Sequence, residues 1–257
     1  MKNAAAVTAD YLSVGETKAG MPARKQFLSG IFAGAFIALG GLGSQIAALA
    51  APGAGKLAGA CVFPVGLTLV VIVGTELFTG NCLLSIPWLA HRVRLSAVLK
   101  NWLFVYLGNF AGGLLIAAMA NLGHVYGMFD GAALTSVLAT ANTKASLSFG
   151  DAFLRGILCN VLVCLAVWLA MSATEAAGKI IGLCLPVMLF VLCGFEHSVA
   201  NMYFIPAGMI AGALTGADAP GIAGLLHNLI PVTLGNIVGG SVCIGAAFWL
   251  LYGKKEA

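Results

Sequence analysis

The chain has 257 residues, 60% of them hydrophobic and 9% charged, with a formal net charge of +4 at pH 7. An ordinary soluble domain carries about 25% charged residues, so the composition excludes a soluble enzyme, a nucleic-acid binder and a disordered chain. What remains is an all-α integral membrane protein in a lipid bilayer, with length enough for six or seven spans at about 20 residues each.

Residues 1–23 hold Lys2, Asp10, Glu16 and Lys18 with no continuous apolar core, and Arg24 and Lys25 close the N-terminal segment, 1–25. They read as a cytoplasmic N-terminal segment and not as a secretory signal. Six apolar segments follow, at about 27–51, 57–88, 97–122, 153–173, 180–214 and 229–252, with a less apolar stretch at 123–150 between the third and fourth. They make one membrane domain, 26–252, followed by a short tail, 253–257. With six spans both termini lie on one side. That side collects ten basic residues (Lys2, Lys18, Arg24, Lys25, Arg92, Arg94, Lys100, Lys179, Lys254 and Lys255) against three on the other (Lys56, Lys144 and Arg155). Excess basic charge marks the cytoplasmic face. The expected location is the inner cell membrane, multi-pass, with both termini in the cytoplasm. The seven dispersed cysteines, none in a C-x-x-C pair, read as small packing residues and not as disulfides or metal ligands.

The two halves repeat. Phe27-Leu28-Ser29-Gly30-Ile31 returns as Phe153-Leu154-Arg155-Gly156-Ile157, an offset of 126 residues. Gly74, Glu76 and Asn81 return as Gly194, Glu196 and Asn201, an offset of 120, and Pro64 returns as Pro186 at 122. Leu107-Gly108-Asn109 returns as Leu234-Gly235-Asn236, an offset of 127. The repeats run from about 26 to 122 and from about 152 to 252. Each holds three spans, so the second copy must enter the membrane upside down, and the long, interrupted second and fifth segments point to the transport pathway. Breaks are expected near Leu77–Gly80 and Gly194–His197.

Glu76 and Glu196 lie within apolar sequence, where a carboxylate costs roughly 2.5–3.5 kcal/mol at a span centre. Ion coordination or proton relay is one reading. The favoured one is support of the helix breaks, the carboxylates lying against freed backbone N–H groups with Asn81 and Asn201 assisting. His197, directly after Glu196, is the one side chain in either break that can pass a proton near neutral pH. Thr79 supplies a hydroxyl from the opposite break, and Asn160 is a buried amide that needs a partner. Lys144 has two readings, a solvated loop lysine or an attractor of anions at a pore mouth. Enzyme signatures, phosphate loops and metal-ligand spacings do not occur, so neither an enzyme nor a cofactor is expected.

The stretch Gly74-Thr75-Glu76-Leu77-Phe78-Thr79-Gly80-Asn81, together with Glu196-His197-Ser198-Val199-Ala200-Asn201-Met202, resembles the two signature segments of the formate/nitrite transporter family. The Leu234–Gly240 stretch is similar to its last-helix motif, and the resemblance covers about Lys25 to Tyr252. It implies a homopentamer of aquaporin-like protomers, each with its own pore for a small weak-acid anion (formate, nitrite or hydrosulfide) and a proton. It also implies pathway roles for His197, Thr79, Asn160 and Lys144. Phe63, Leu67, Leu77, Phe78 and Phe190 match the side chains that narrow the pore, and Phe63 and Leu67, four apart, would share a helix face. The Leu-Phe-Thr-Gly-Asn form of the first break is closer to nitrite- or hydrosulfide-type members. The competing reading is a neutral-solute facilitator of aquaporin or ammonium-channel type, although the paired Asn-Pro-Ala sequence of aquaporins is missing.

Overall fold

The computed structural model describes residues 1–253; Lys254, Lys255 and all but the first residue of the expected tail lie outside the described residues. The first half runs α1 (Ala4–Gly20), α2 (Ala23–Ala50), α3 (Gly55–Val62), α4 (Pro64–Val73), α5 (Phe78–Asn81), a 3₁₀ turn (Cys82–Leu84), α6 (Ser85–Leu89) and α7 (Leu95–Leu122). The second runs α8 (Ala132–Ala145), α9 (Phe149–Ser172), α10 (Ala176–Cys193), α11 (Ser198–Thr215), α12 (Ile222–Ile237), a π-helical stretch (Val238–Ala246) and α13 (Ala247–Tyr252). Among the described residues, seven helical stretches are long and apolar enough to cross a membrane, against the six segments read from the sequence. The difference lies in the fifth segment. Its two halves, α10 and α11, have 18 residues each and both qualify, whereas the matching part of the first half is cut into short pieces.

Two stretches outside the six apolar segments are also helical, within the N-terminal segment and within the less apolar stretch between the halves. Asn3 Oδ1 accepts from the Ala6 N–H at 2.9 Å and caps α1. Val7, Tyr11 and Gly15, spaced by four, form its buried stripe. Val7 and Tyr11 pack on Leu83, Ile86, Cys164 and Trp168, and the missing side chain of Gly15 makes room for Pro87. In the stretch between the halves, Val137 and Ala141 bury α8 against α11, where Gly208 lets Ala141 approach. Helices α1 and α8 therefore occupy corresponding places in the two halves. The sequence repeat extends back to them: Thr17-Lys18-Ala19 returns as Thr143-Lys144-Ala145, again at 126.

Glycine sets the helix crossings. Lipid tails are as apolar as the side chains, so spans associate by close packing of small residues. A Cβ on Gly30 would meet the Gly108 Cα at 3.2 Å, and one on Gly156 would meet the Gly235 Cα at 3.3 Å. Gly112 and Gly239, the next positions along, face the carbonyls of Ile31 and Ile157. The α2–α7 and α9–α12 crossings are thus one solution used twice. Gly112→Leu is expected to lower thermal stability in detergent by about 1–3 kcal/mol or more through overpacking. Gly20→Ala, where no atom lies within 4 Å of the new Cβ, is expected to leave it unchanged. A thermal melt of both variants decides it.

Candidate pore site

Helix α4 stops at Val73 and the chain resumes as helix at Phe78; α10 stops at Cys193 and resumes at Ser198. Gly74 and Gly194 end the first helix of each pair with φ of +81° and +70°, in the left-handed region that glycine adopts without steric penalty. The second break lies where the sequence put it. The first begins three residues earlier than expected, where the repeat offset of 120 places the equivalent of Gly194.

The loose backbone is satisfied by asparagines. Asn109 Oδ1 accepts from the Phe78 N–H at 2.9 Å, and its Nδ2 donates to the carbonyls of Gly30 at 2.8 Å and Glu76 at 3.0 Å. Asn236 repeats this, accepting from the Ser198 N–H at 2.9 Å and donating to Gly156 at 2.8 Å and Glu196 at 3.0 Å. The expectation that Glu76 and Glu196 lie against backbone donors is corrected: their carboxylates bind side chains. Lys18 Nζ donates to Glu76 Oε1 at 2.7 Å, and Asn81 Nδ2 donates to Glu76 Oε2 at 2.7 Å and to Asn101 Oδ1 at 2.8 Å. Asn101 Nδ2 closes the ring on the Lys18 carbonyl at 3.2 Å. The second half builds the same ring. Lys144 Nζ donates to Glu196 at 2.9 Å, Asn201 Nδ2 to Glu196 Oε2 and Asn228 Oδ1 at 2.7 Å each, and Asn228 Nδ2 to the Lys144 carbonyl at 2.8 Å.

Lys144 is therefore not a solvated loop residue. It lies in the last turn of α8, its side chain is 17% exposed, and its ammonium sits 5.4 Å from the Phe204 ring centroid. A carboxylate in apolar sequence needs a cation and donors on its remaining lone pairs, and each ring supplies both. Lys18, Asn101 and Asn228 were not picked out from the sequence as site residues, and Asn109 and Asn236 were seen only as members of the repeated motif. The Thr-Lys-Ala repeat at offset 126, and Asn101 with Asn228 at the same 127 as the glycine–asparagine motif, are the signals that carry them.

Between the two rings lies the pair Thr79 and His197, from opposite breaks, both at most 3% exposed. Thr79 Oγ1 and His197 Nε2 are 2.9 Å apart. His197 Nδ1 accepts the Ala200 N–H at 3.0 Å and so caps α11. A neutral imidazole carries one proton. With Nδ1 an acceptor, that proton sits on Nε2 and is donated to Thr79, which leaves the Thr79 hydroxyl proton free for a third partner. Asn160 Nδ2 fixes the threonine backbone, donating to the Thr79 carbonyl at 3.1 Å and the Asn236 carbonyl at 2.6 Å.

Two cavities that share no lining residue lie near this pair: His197 lines the smaller, and the larger reaches Leu77 and Gly80 on either side of Phe78-Thr79. One, of about 470 Å³, is lined by Leu67 and Leu77 together with Lys18, Glu76 and Tyr11. Burial pushes the Tyr11 phenol well above its ordinary pKa, so it stays neutral. The other, of about 170 Å³, is lined by Phe63, Phe190, Lys144, Glu196 and His197. Phe63 and Phe190 meet edge to face at 5.6 Å, and Phe190 stacks on the His197 ring at 5.9 Å. Phe63 stands at the junction of α3 and α4 and Leu67 one turn on. Phe78 lines neither cavity; its ring packs on Tyr106 and Trp102 of α7 at 4.9 and 6.1 Å. The sequence thus brings Thr79, His197 and Asn160 to one place and sets the lysines at the two cavities.

The family model described as formate/nitrite transporter matches residues 5–250. The formate channel FocA of Haemophilus influenzae is 43% identical over 237 residues, covering 85% of this chain and 84% of that one. A solved structure titled FNT family ion channel superposes with a TM-score of 0.83 at 31% identity, covering 95% of this chain and 96% of that one. A second, titled pentameric formate channel with formate bound, superposes with a TM-score of 0.78 at 35% identity, covering 90% and 98%. An all-helical, multi-pass membrane protein with a threonine–histidine pair between two cavities, this chain is a member of the formate/nitrite transporter family and a transport protein, not an enzyme.

Proposed function

We propose that this protein is a channel for formate and related small weak-acid anions, nitrite and hydrosulfide among them, and that the anion crosses the middle of the membrane in protonated form. The observation that carries this reading is the Thr79–His197 hydrogen bond at 2.9 Å, buried among Phe63, Phe190, Leu67 and Leu77. A bare ion in such surroundings costs several kcal/mol even after relaxation, and taking up a proton removes that cost. The names of the similar proteins favour formate as the substrate over the nitrite or hydrosulfide that the form of the first break favours.

His197, Thr79, Asn160 and Lys144 are the residues of the pathway, with Phe63, Leu67, Leu77 and Phe190 as its constrictions. Lys144 and Lys18, each at a cavity, draw the anion inward. Uptake of a proton on His197 Nδ1 breaks the Ala200 cap, a cost of about 0.5–2 kcal/mol, and creates a buried cation whose own cost the anion beside it must offset. The resulting imidazolium passes its Nε2 proton to Thr79 as Thr79 passes its hydroxyl proton to the anion. The neutral acid then crosses and releases its proton in the far cavity. Glu76, Asn81, Glu196 and Asn201 hold the lysines and the breaks in place.

The topology belongs to the same reading: six spans, α10 and α11 sharing the fifth, in two inverted three-span repeats of an aquaporin-like protomer. Both termini lie in the cytoplasm and five protomers associate, each with its own pore. The odd number of spans per repeat and the basic-residue split support the orientation. The solved pentameric formate channel supports the assembly.

The test is flux into proteoliposomes. Formate, nitrite and hydrosulfide are expected to enter at rates far above chloride, which cannot become a neutral acid at these pH values. Chloride uptake equal to that of formate would overturn the reading.

A further inference from the structure

A groove of about 420 Å³ runs along the start of α2, distinct from the two pore cavities but sharing Thr75 with the larger one. It is walled by Arg24, Lys25, Leu28, Ser29, Phe32 and Thr75. Arg24 and Lys25 are exposed, and among the described residues no carboxylate lies within ion-pair distance of either: Asp10, Glu16, Glu76 and Glu196 are taken by Lys2, Arg92, Lys18 and Lys144. Below the two cations, Leu28 and Phe32 are 44% and 59% exposed, one and two turns from Arg24 on the same face. Phe32 stands about 12 Å along the axis from Arg24. With 28 residues, α2 is about 42 Å long and overreaches a hydrocarbon layer of about 30 Å. On the six-span reading the excess length places its basic first turn at headgroup level, with Leu28 and Phe32 among the acyl chains. At the groove wall, Ser29 Oγ accepts the Glu76 N–H at 3.0 Å, so whatever fills the groove covers the first helix break from outside.

We infer that this groove is a binding site for an anionic phospholipid, with the phosphate between Arg24 and Lys25 and an acyl chain on Leu28 and Phe32. Charge complementarity selects the headgroup. The pairing of unpartnered cations with an apolar slope selects a lipid over a water-soluble anion. The site goes beyond the transport reading and stands at the end of the chain that reading places in the cytoplasm.

The experiment is native mass spectrometry of the delipidated, purified oligomer titrated with phosphatidylglycerol or phosphatidylcholine. The wild-type protein is expected to retain phosphatidylglycerol about tenfold more tightly or better, since two basic residues face one headgroup. Arg24→Gln/Lys25→Gln is expected to lose that preference while keeping its oligomeric state and its formate flux in phosphatidylcholine vesicles. Lys56→Gln, an exposed lysine outside the groove, is expected to keep the preference. Equal retention of the two lipids by the wild type would overturn the assignment, as would an unchanged preference in the double variant or an equal loss in Lys56→Gln. Dissociation of the oligomer in the double variant would also overturn it, because a neighbouring copy would then be the occupant.

Discussion

Replacing His197 with asparagine is expected to reduce proton-coupled formate uptake by about 100-fold or more while leaving the protein folded. Asparagine is a good N-cap residue, so the Ala200 N–H that His197 Nδ1 now accepts keeps a partner and α11 keeps its start. What is lost is the donor to Thr79 at 2.9 Å and the one side chain there that can take up a proton on one ring nitrogen and give one from the other. A hundredfold change in rate corresponds to about 2.7 kcal/mol of barrier, less than the several kcal/mol that a buried, unprotonated anion costs. Stopped-flow uptake with a pH dye inside the vesicles reads both quantities at once. Wild-type uptake with full acidification would mean that His197 serves only to cap the helix.

Lys144→Met is expected to be the most destabilising of the variants considered. It strands Glu196, 4% exposed, without its cation, and removing one partner of a buried pair costs about 3–5 kcal/mol. Adding Glu196→Gln is expected to recover most of that loss, because the amide oxygen can still accept from Asn201 while the buried charge is gone. The double variant is nonetheless expected to take up formate more slowly than wild type, since it removes the ammonium N–H donors at the 170 Å³ cavity although the net charge there is unchanged. Thermal melts of the single and double variants separate the two effects. A Lys144→Met variant as stable as wild type would contradict the ring of four side chains.

The membrane class was legible in the composition, the second break and, to within three residues, the first in the repeat, and the Thr79–His197 pairing in the placement of the two residues in opposite breaks. What was not legible follows from partners far apart in the chain. Glu76 could be seen to need a partner, but Lys18, 58 residues upstream and in an unremarkable polar segment, could be named only by carrying the repeat outside the apolar segments. Composition also hid α1 and α8: each buries only a narrow stripe on an otherwise polar helix, which dilutes the apolar signal that marks a span. The break asparagines, Asn109 and Asn236, were seen as part of a repeated motif. Their task shows only once α7 and α12 cross α2 and α9 at the glycines beside them. Phe78, grouped by resemblance with the constrictions, packs away from the cavities because its neighbour Leu77 takes the cavity wall.

The central claim is that the anion passes the Thr79–His197 pair as a neutral acid. Its most direct measurement is initial formate uptake into proteoliposomes whose membrane potential is clamped with valinomycin and potassium gradients. Neutral-acid passage predicts rates independent of the clamped potential, with one proton delivered per formate. Uptake that follows the potential, about tenfold for each 60 mV at the limit of a full charge crossing the field, with no acidification of the lumen, would contradict it.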